Sequence, residues 1–350
     1  MNTSASPSAS ARRALPWPPW GWSLLGVAVV WIVTIIVRPG APLDPLGQAF
    51  SLAPFLALVA LGQMLVITLG PGNIDVSVGT VISMSSYVSV AVGAAAGPVA
   101  GLAAGFGAGL AAGGISVLAI LLLRVPPIIA TLATSLIVTS ATLLLAGEAR
   151  GGADPALRAF VNAKLLGVPV IALVVALITL AIWFMLRRTH LGLSIIAVGQ
   201  SSRAAERAGI RVAAVTATAY LLSAGFAGLV GGLLAAYISP STVLGTSYML
   251  DSIAVVVIGG TLIAGGRPVP VGVWTGALFF VLLSGLLNLV GWSVGAQNVL
   301  KGVLVVLVVV VASATTGTGR NTLRRLRHSF SSGSPTATPS PSTQKETIHG

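Results

Sequence analysis

The chain has 350 residues, 55% hydrophobic and only 7% charged, with a formal net charge of +12. A soluble domain carries roughly 25% charged residues, so the composition excludes an ordinary soluble globule and indicates an all-α polytopic membrane protein, in which the 42 glycines suit closely packed helices. Cysteine is absent, which removes disulfides, thiol nucleophiles and cysteine metal sites; the basic excess reads as a topology and lipid signal rather than a nucleic-acid footprint.

Residues 1–20 begin Ser/Ala-rich and are expected to be disordered and cytoplasmic. Arg12 and Arg13 before an apolar run resemble the charged start of a signal peptide. The run is Trp-rich, continues to Val37 and lacks a clear small-residue cleavage site, so it reads as a retained first span. A helix needs about 20 residues to cross the roughly 30 Å hydrocarbon core. Apolar runs of that order lie near 21–37, 49–69, 76–95, 98–123, 126–146, 166–186, 212–237, 249–264, 270–291 and 297–314. This gives about ten transmembrane helices in a membrane domain over 21–316, with broken or re-entrant segments. Residues 317–350 are basic and then Ser/Thr/Pro-rich ("SFSSGSPTATPSPST") and cannot build a core. With both termini cytoplasmic, only Arg38, Arg150, Arg158, Lys164 and Lys301 of the 19 basic residues fall in outside segments, as the positive-inside rule asks.

Between the second and third runs stands "LGPGNIDVSVGT", Leu69 to Thr80, a helix-breaking turn and an acid where hydrocarbon would continue. An aspartate at a helix centre costs about 2.5–3.5 kcal/mol on insertion scales. Asp75 is expected either to cap a helix beginning at Val76 or to border a substrate path, and a broken helix in a transporter allows both. For Asp251 a cap at the outer end of the eighth span is the favoured reading, ahead of a substrate contact. His190, His328 and His349 form no metal-ligand spacing with a neighbouring acid. Lys164, Lys301 and Lys345 are followed by Leu, Gly and Glu, so no G-x-x-x-x-G-K-[ST] phosphate loop exists; if ATP drives this protein, a separate subunit must hydrolyse it.

The segment "RRTHLGLSIIAVGQSSRAAERAGIRV", 187–211 with Val212, is the longest inside loop. Ser201 to Ala208 favours a short helix with Ser202 as N-cap. Arg203 and Arg207 share a face beside Glu206, Ala204, Ala205 and Ala208 form a smooth small-residue face, and Gly209 is the stop. By composition a docking helix and a solvated linker are equal readings.

At these residues the chain resembles the membrane permease subunits of bacterial ABC importers of the ribose and xylose branch, whose sister branch carries branched-chain amino acids. The resemblance rests on "GNIDVSVGTVISMSS" (72–86), "PPIIATLATSLI" (126–137), "THLGLSIIAVGQSSRAAERAGI" (189–210) and "LDSIAVVVIGGTLIAGGRPVPVG" (250–272). Asn73 and Gln200 stand where the family usually has glycine. The resemblance implies a ten-span fold in the bacterial inner membrane and a permease dimer, identical or mixed. It also implies an extracytoplasmic sugar-binding protein and ATPase subunits that hold the ATP and magnesium, this chain binding no cofactor. It further implies an ATPase-coupling role for 187–211, with Gly199, Arg203, Ala204, Ala205, Glu206, Arg207 and Gly209, and no catalytic residue. Gly72, Asn73, Asp75, Ser77 and Asp251 are the expected substrate-pathway residues. The main rival is an ion-coupled secondary transporter, for which only Asp75 and Asp251 are candidates, with no buried basic partner evident in the sequence.

Overall fold

A computed structural model describes residues 18–40, 42–148 and 152–315. The chain divides into a unit through Val305 and a second from Val306 onward, of which residues 306–315 are described. The expected disordered ends therefore lie outside the described residues, apart from 18–20.

The described residues are helical almost throughout: α1 (Gly21–Val37), α2 (Asp44–Thr68), α3 (Val78–Ala96), α4 (Pro98–Leu121), α5 (Pro127–Glu148), α6 (Pro155–Asn162), α7 (Val170–Arg188), α8 (His190–Gln200), α9 (Ser202–Arg207), α10 (Val212–Tyr237), α11 (Thr246–Ile258), α12 (Pro270–Leu289) and α13 (Val294–Thr315). A helix stands at each of the ten expected spans. Seven of them (α2, α3, α4, α5, α7, α10 and α12) are long and apolar enough to cross a membrane, whereas α1 and α11 are shorter apolar helices. Besides the short α9, a hairpin and two further helices stand outside the ten span helices. The hairpin of β1 (Lys164–Leu165) and β2 (Val168–Pro169) takes residues assigned to the sixth span, and α6 before it is capped by Asp154, whose Oδ1 accepts from Ala156 N–H at 2.7 Å. The other helix is α8, inside what reads as a loop. Thr189 accepts from Gly192 N–H at 3.2 Å to start it, and Ile195 and Val198 on one face bury against the bundle.

Helix α2 forms the centre and is buried continuously from Ala53 to Thr68, including Pro54. In bilayer there is no hydrophobic force between helices, so tight association depends on small residues that let backbones approach. Gly101, Gly105, Gly109 and Gly113 repeat every fourth position, on one face of α4, and all four are buried. A Cβ at Gly105 would lie 3.1 Å from the Gly228 carbonyl, and one at Gly109 would collide with the Ala224 carbonyl. Lipid-length apolar side chains instead point outward from α1, α5 and α7.

The connections 69–77, 189–211 and 259–269 gather at the end carrying Arg124, Arg187, Arg188, Arg203, Arg207, Arg211 and Arg267, the basic end. Gly266 N–H donates to the Thr68 carbonyl at 2.9 Å, and Gly265 packs on the Gly70 backbone. Gly199 packs there too, where any Cβ would meet the Thr68 carbonyl.

Candidate functional site

The break after α2 is held from three sides. Asp75 is buried; its Oδ1 accepts from Ser77 N–H at 3.0 Å and from the Ser77 hydroxyl at 2.6 Å, while Oδ2 accepts from the Ser223 hydroxyl of α10 at 3.0 Å. The carboxamide of Gln63 on α2, in the orientation that satisfies both atoms, donates to the Asp75 carbonyl and accepts from the Asp75 N–H, each at 3.2 Å. It thus supplies the hydrogen bonds that a continuing helix would have supplied. Thr131 of α5 accepts from Val76 N–H at 3.2 Å. The Tyr220 hydroxyl donates to Asn73 Oδ1 at 3.3 Å. Gly62, next to Gln63, makes this possible: a Cβ there would lie 2.7 Å from Ser223 Cα, so only glycine lets α10 come close enough for Ser223 to reach the carboxylate.

This corrects the expected cap. Helix α3 begins at Val78, not Val76, and Asp75 closes an Asx-type turn onto Ser77 two residues before it. The turn lies deep. Ser223 stands roughly 16 Å along α10 from Val212 at 1.5 Å per residue, so the chain leaves α2 at the basic end and turns back into the bundle before α3 starts. Asn73, Asp75 and Ser77 are brought together here; Gly72 is exposed beside them.

Asp251 lies elsewhere. It sits inside α11, five residues after that helix's first residue Thr246, so the expected helix cap is not formed. Its Oδ2 instead accepts from Lys301 Nζ of α13 at 2.9 Å, both side chains being nearly buried. Lys301 is thus a buried basic partner, which the sequence alone does not reveal. It also stands 6.0 Å from the Phe280 ring centroid. The pair lines a cavity of about 450 Å³ whose polar walls include Gln48, Tyr248, Asn288, Gln297 and Asn298. Arg38, Asp44 and Val294 also border it, which places its mouth at the end opposite the basic one. Gln297 Nε2 donates to Asn288 Oδ1 at 2.7 Å. A space of this size suits a small ligand, and convergent amides, hydroxyls and charges suit one with many hydrogen-bonding groups. The signal that could have located it is the triplet Gln297, Asn298 and Lys301, polar positions on neighbouring turns of an otherwise apolar run.

At the basic end, α9 is the short helix expected within 187–211. Its N-cap is Ser201, not Ser202: the Ser201 hydroxyl accepts from Ala204 N–H at 3.3 Å. Gly209, with φ +84°, ends the turn in a conformation that disfavours any residue with a Cβ. Arg203, Ala204, Glu206, Arg207 and Gly209 are exposed, Ala205 is buried into the bundle, and Gly199 is buried at the end of α8.

Residues 46–310 match the family model described as branched-chain amino acid transport system / permease component. Among individual proteins, the chain is 34% identical to the ribose import permease protein RbsC of Bacillus subtilis, over 81% of this chain and 89% of that one. It is 29% identical to the autoinducer 2 import system permease protein LsrD of Yersinia enterocolitica, over 82% and 90%. It is 34% identical to the Escherichia coli K12 RbsC, over 72% and 80%. No solved structure matches at a significant level. With three quarters of its length inside the family model and its glycine seam and the turn after α2 in the matched region, the chain belongs to the family of branched-chain amino acid transport system permease components.

Proposed function

We propose that the chain is the transmembrane subunit of a bacterial ATP-binding-cassette importer in the inner membrane, passing a ribose- or xylose-like monosaccharide or a related sugar-like solute. The observation that carries this reading is the cavity around Asp251 and Lys301. A monosaccharide presents hydroxyls on most of its carbons, and a polar space of about 450 Å³ offers them partners, where an apolar side chain would gain little. The ion-pair floor also complements a zwitterionic amino acid, which keeps the branched-chain amino acid reading as the second one.

In this reading α1–α5, α7 and α10–α13 make ten crossings, with the basic end and both termini cytoplasmic and the cavity opening toward an extracytoplasmic binding protein. The chain pairs with a second permease subunit. Separate ATPase subunits hold ATP and magnesium and dock on α9, whose exposed Arg203, Ala204, Glu206 and Arg207 carry their closure to the bundle. Gly199, packed against the Thr68 carbonyl, passes that motion to the end of α2. The Gly72–Ser77 turn borders the path at mid-depth, and solute crosses as the bundle halves alternate, driven by differential contacts in the two states.

Proteoliposomes holding the permease, its ATPase and its binding protein test the reading through uptake of radiolabelled ribose, xylose and leucine. The expected result is ATP-dependent pentose uptake. Lys301→Met leaves Asp251 as an unpaired buried charge at a cost of roughly 3–5 kcal/mol, so folded yield and uptake both fall. Asp251→Asn with Lys301→Gln restores yield but not uptake. Full uptake by that double variant would make the pair purely structural. Leucine uptake alone would select the amino acid reading, and uptake that survives ATP depletion but collapses with an ion gradient would select a secondary transporter.

A further inference from the structure

Two concavities on the outer face of the bundle join into one. At the basic end a hollow of about 430 Å³ lies between the start of α1, the end of α7 and the 266–271 segment, with Arg187 and Arg267 at its rim and Trp20 and Trp183 in its walls. Beside it an apolar groove of about 650 Å³ runs between α7 and α12, over Ala172, Ala176 and Leu180 on one side and Trp274 on the other. Trp183, Pro270 and Val271 line both, so hollow and groove are continuous. We infer that this is a binding site for one anionic phospholipid from the leaflet at the basic end, its phosphate held by Arg187 and Arg267 and one acyl chain lying in the groove.

Charge complementarity selects the headgroup. Neither concavity is lined by an acid, and among the described residues the single ion pair is the distant Asp251–Lys301. The guanidinium of Arg187 stacks over Trp183, 4.8 Å from the ring centroid. Stacking engages its flat face and leaves its N–H edge to donate to phosphate oxygens, at the depth where tryptophan marks the membrane interface.

The groove fits hydrocarbon in both chemistry and length. Trp274 Nε1 donates to Thr179 Oγ1 at 2.8 Å, so these two side chains satisfy each other; apart from Trp183 at the junction with the hollow, the other lining side chains are aliphatic or phenyl. From Trp183 back to Ala172 the rise is roughly 16 Å, and Ala172 is near the end of α7 opposite Arg187, so the groove runs past the middle of the helix, a length that an extended acyl chain follows. Ala172 and Ala176 form a low floor between larger neighbours, which makes this a trough rather than an ordinary lipid-facing ridge. A free anion would use only the hollow, a neutral lipid only the groove; an anionic phospholipid uses both.

Native mass spectrometry of the full-length protein, titrated separately with palmitoyl-oleoyl phosphatidylglycerol and phosphatidylcholine, tests this. One phosphatidylglycerol should bind on the order of tenfold more tightly than phosphatidylcholine. Arg187→Gln with Arg267→Gln should bring the two lipids to within about threefold of each other while elution volume and thermal midpoint stay unchanged. Ala176→Trp, which fills the trough, should remove the bound equivalent of both lipids. Equal binding of the two lipids by the wild type, or a preference that survives the double substitution, would overturn the inference. So would Ala176→Trp converting a dimer to monomers without affecting lipid, since a second copy would then be the occupant. None of these readouts depends on which solute is transported.

Discussion

Asp75 shows how a single buried charge is made tolerable. Its carboxylate takes three protein donors and its backbone is closed by Gln63, so the group that looks like a fault in an apolar run is the clasp of a turn. Asp75→Ala removes the acceptor but not the donors. The Ser77 and Ser223 hydroxyls can turn to nearby helix carbonyls, whereas the buried Ser77 N–H cannot, and one unsatisfied donor costs roughly 1–3 kcal/mol. The variant is expected to lose thermal stability in detergent by that amount and to lose uptake with it; an unchanged midpoint with lost uptake would instead mark Asp75 as a pure solute contact. Tyr220→Phe, which removes only the Asn73 bond, should cost about 1 kcal/mol. That Asp75 matters was legible in the sequence from the cost of a charge among apolar residues. Its partners Gln63 and Ser223, and Thr131 that holds the neighbouring Val76 N–H, were not, because ordinary polar residues on three other helices carry no local sign that they converge. Lys301 was hidden differently: it lies so near the start of an apolar run that it passes for a flanking charge, and only the fold shows it facing Asp251.

At the scale of elements, helix positions were readable from apolar runs, and the glycine content announced close packing without saying which faces meet. The structure divides the glycines of α4 sharply. Gly105 and Gly109 face α10, whereas Gly107 and Gly114 have nothing within 4 Å where a Cβ would stand. Gly109→Val should therefore drive a side chain into the Ala224 carbonyl, with an overpacking cost of at least about 1–3 kcal/mol, and abolish monodisperse protein on size exclusion. Gly107→Ala and Gly114→Ala, on the same helix, should raise the thermal midpoint, since alanine in an open helix position is worth about 1 kcal/mol over glycine. If all three behaved alike, the α4–α10 seam would be wrong. Helix α8 is masked in the sequence although Leu191, Ile195 and Val198 keep helical spacing behind a Thr189 cap, because the basic residues on either side of it give the whole segment the look of a loop.

At the scale of the whole molecule, the basic end gathers the turn after α2, the α8–α9 pair and the glycine-rich 259–269 connection into one surface. In the proposed importer this surface is the route from α9 to the turn after α2: Gly199, Gly265 and Gly266 pack directly on Thr68 and Gly70. Reversing Arg203 and Arg207 to Glu is expected to leave folding intact, because both side chains are exposed, yet to lower ATP-driven uptake severalfold while the ATPase subunit still hydrolyses ATP. Normal uptake with normal assembly would remove α9 from the coupling path. The sequence by itself determined the class of the protein, the places of its long helices, its basic end and its family, because hydropathy, charge asymmetry and short ordered motifs are local properties that survive in one dimension. The tertiary structure decided which polar residues share a site, namely Asp75 with Gln63 and Ser223, and Asp251 with Lys301. Inside a membrane protein a buried polar atom must find its partner on another helix, and helix-to-helix register is fixed by side-chain packing rather than by any pattern along the chain.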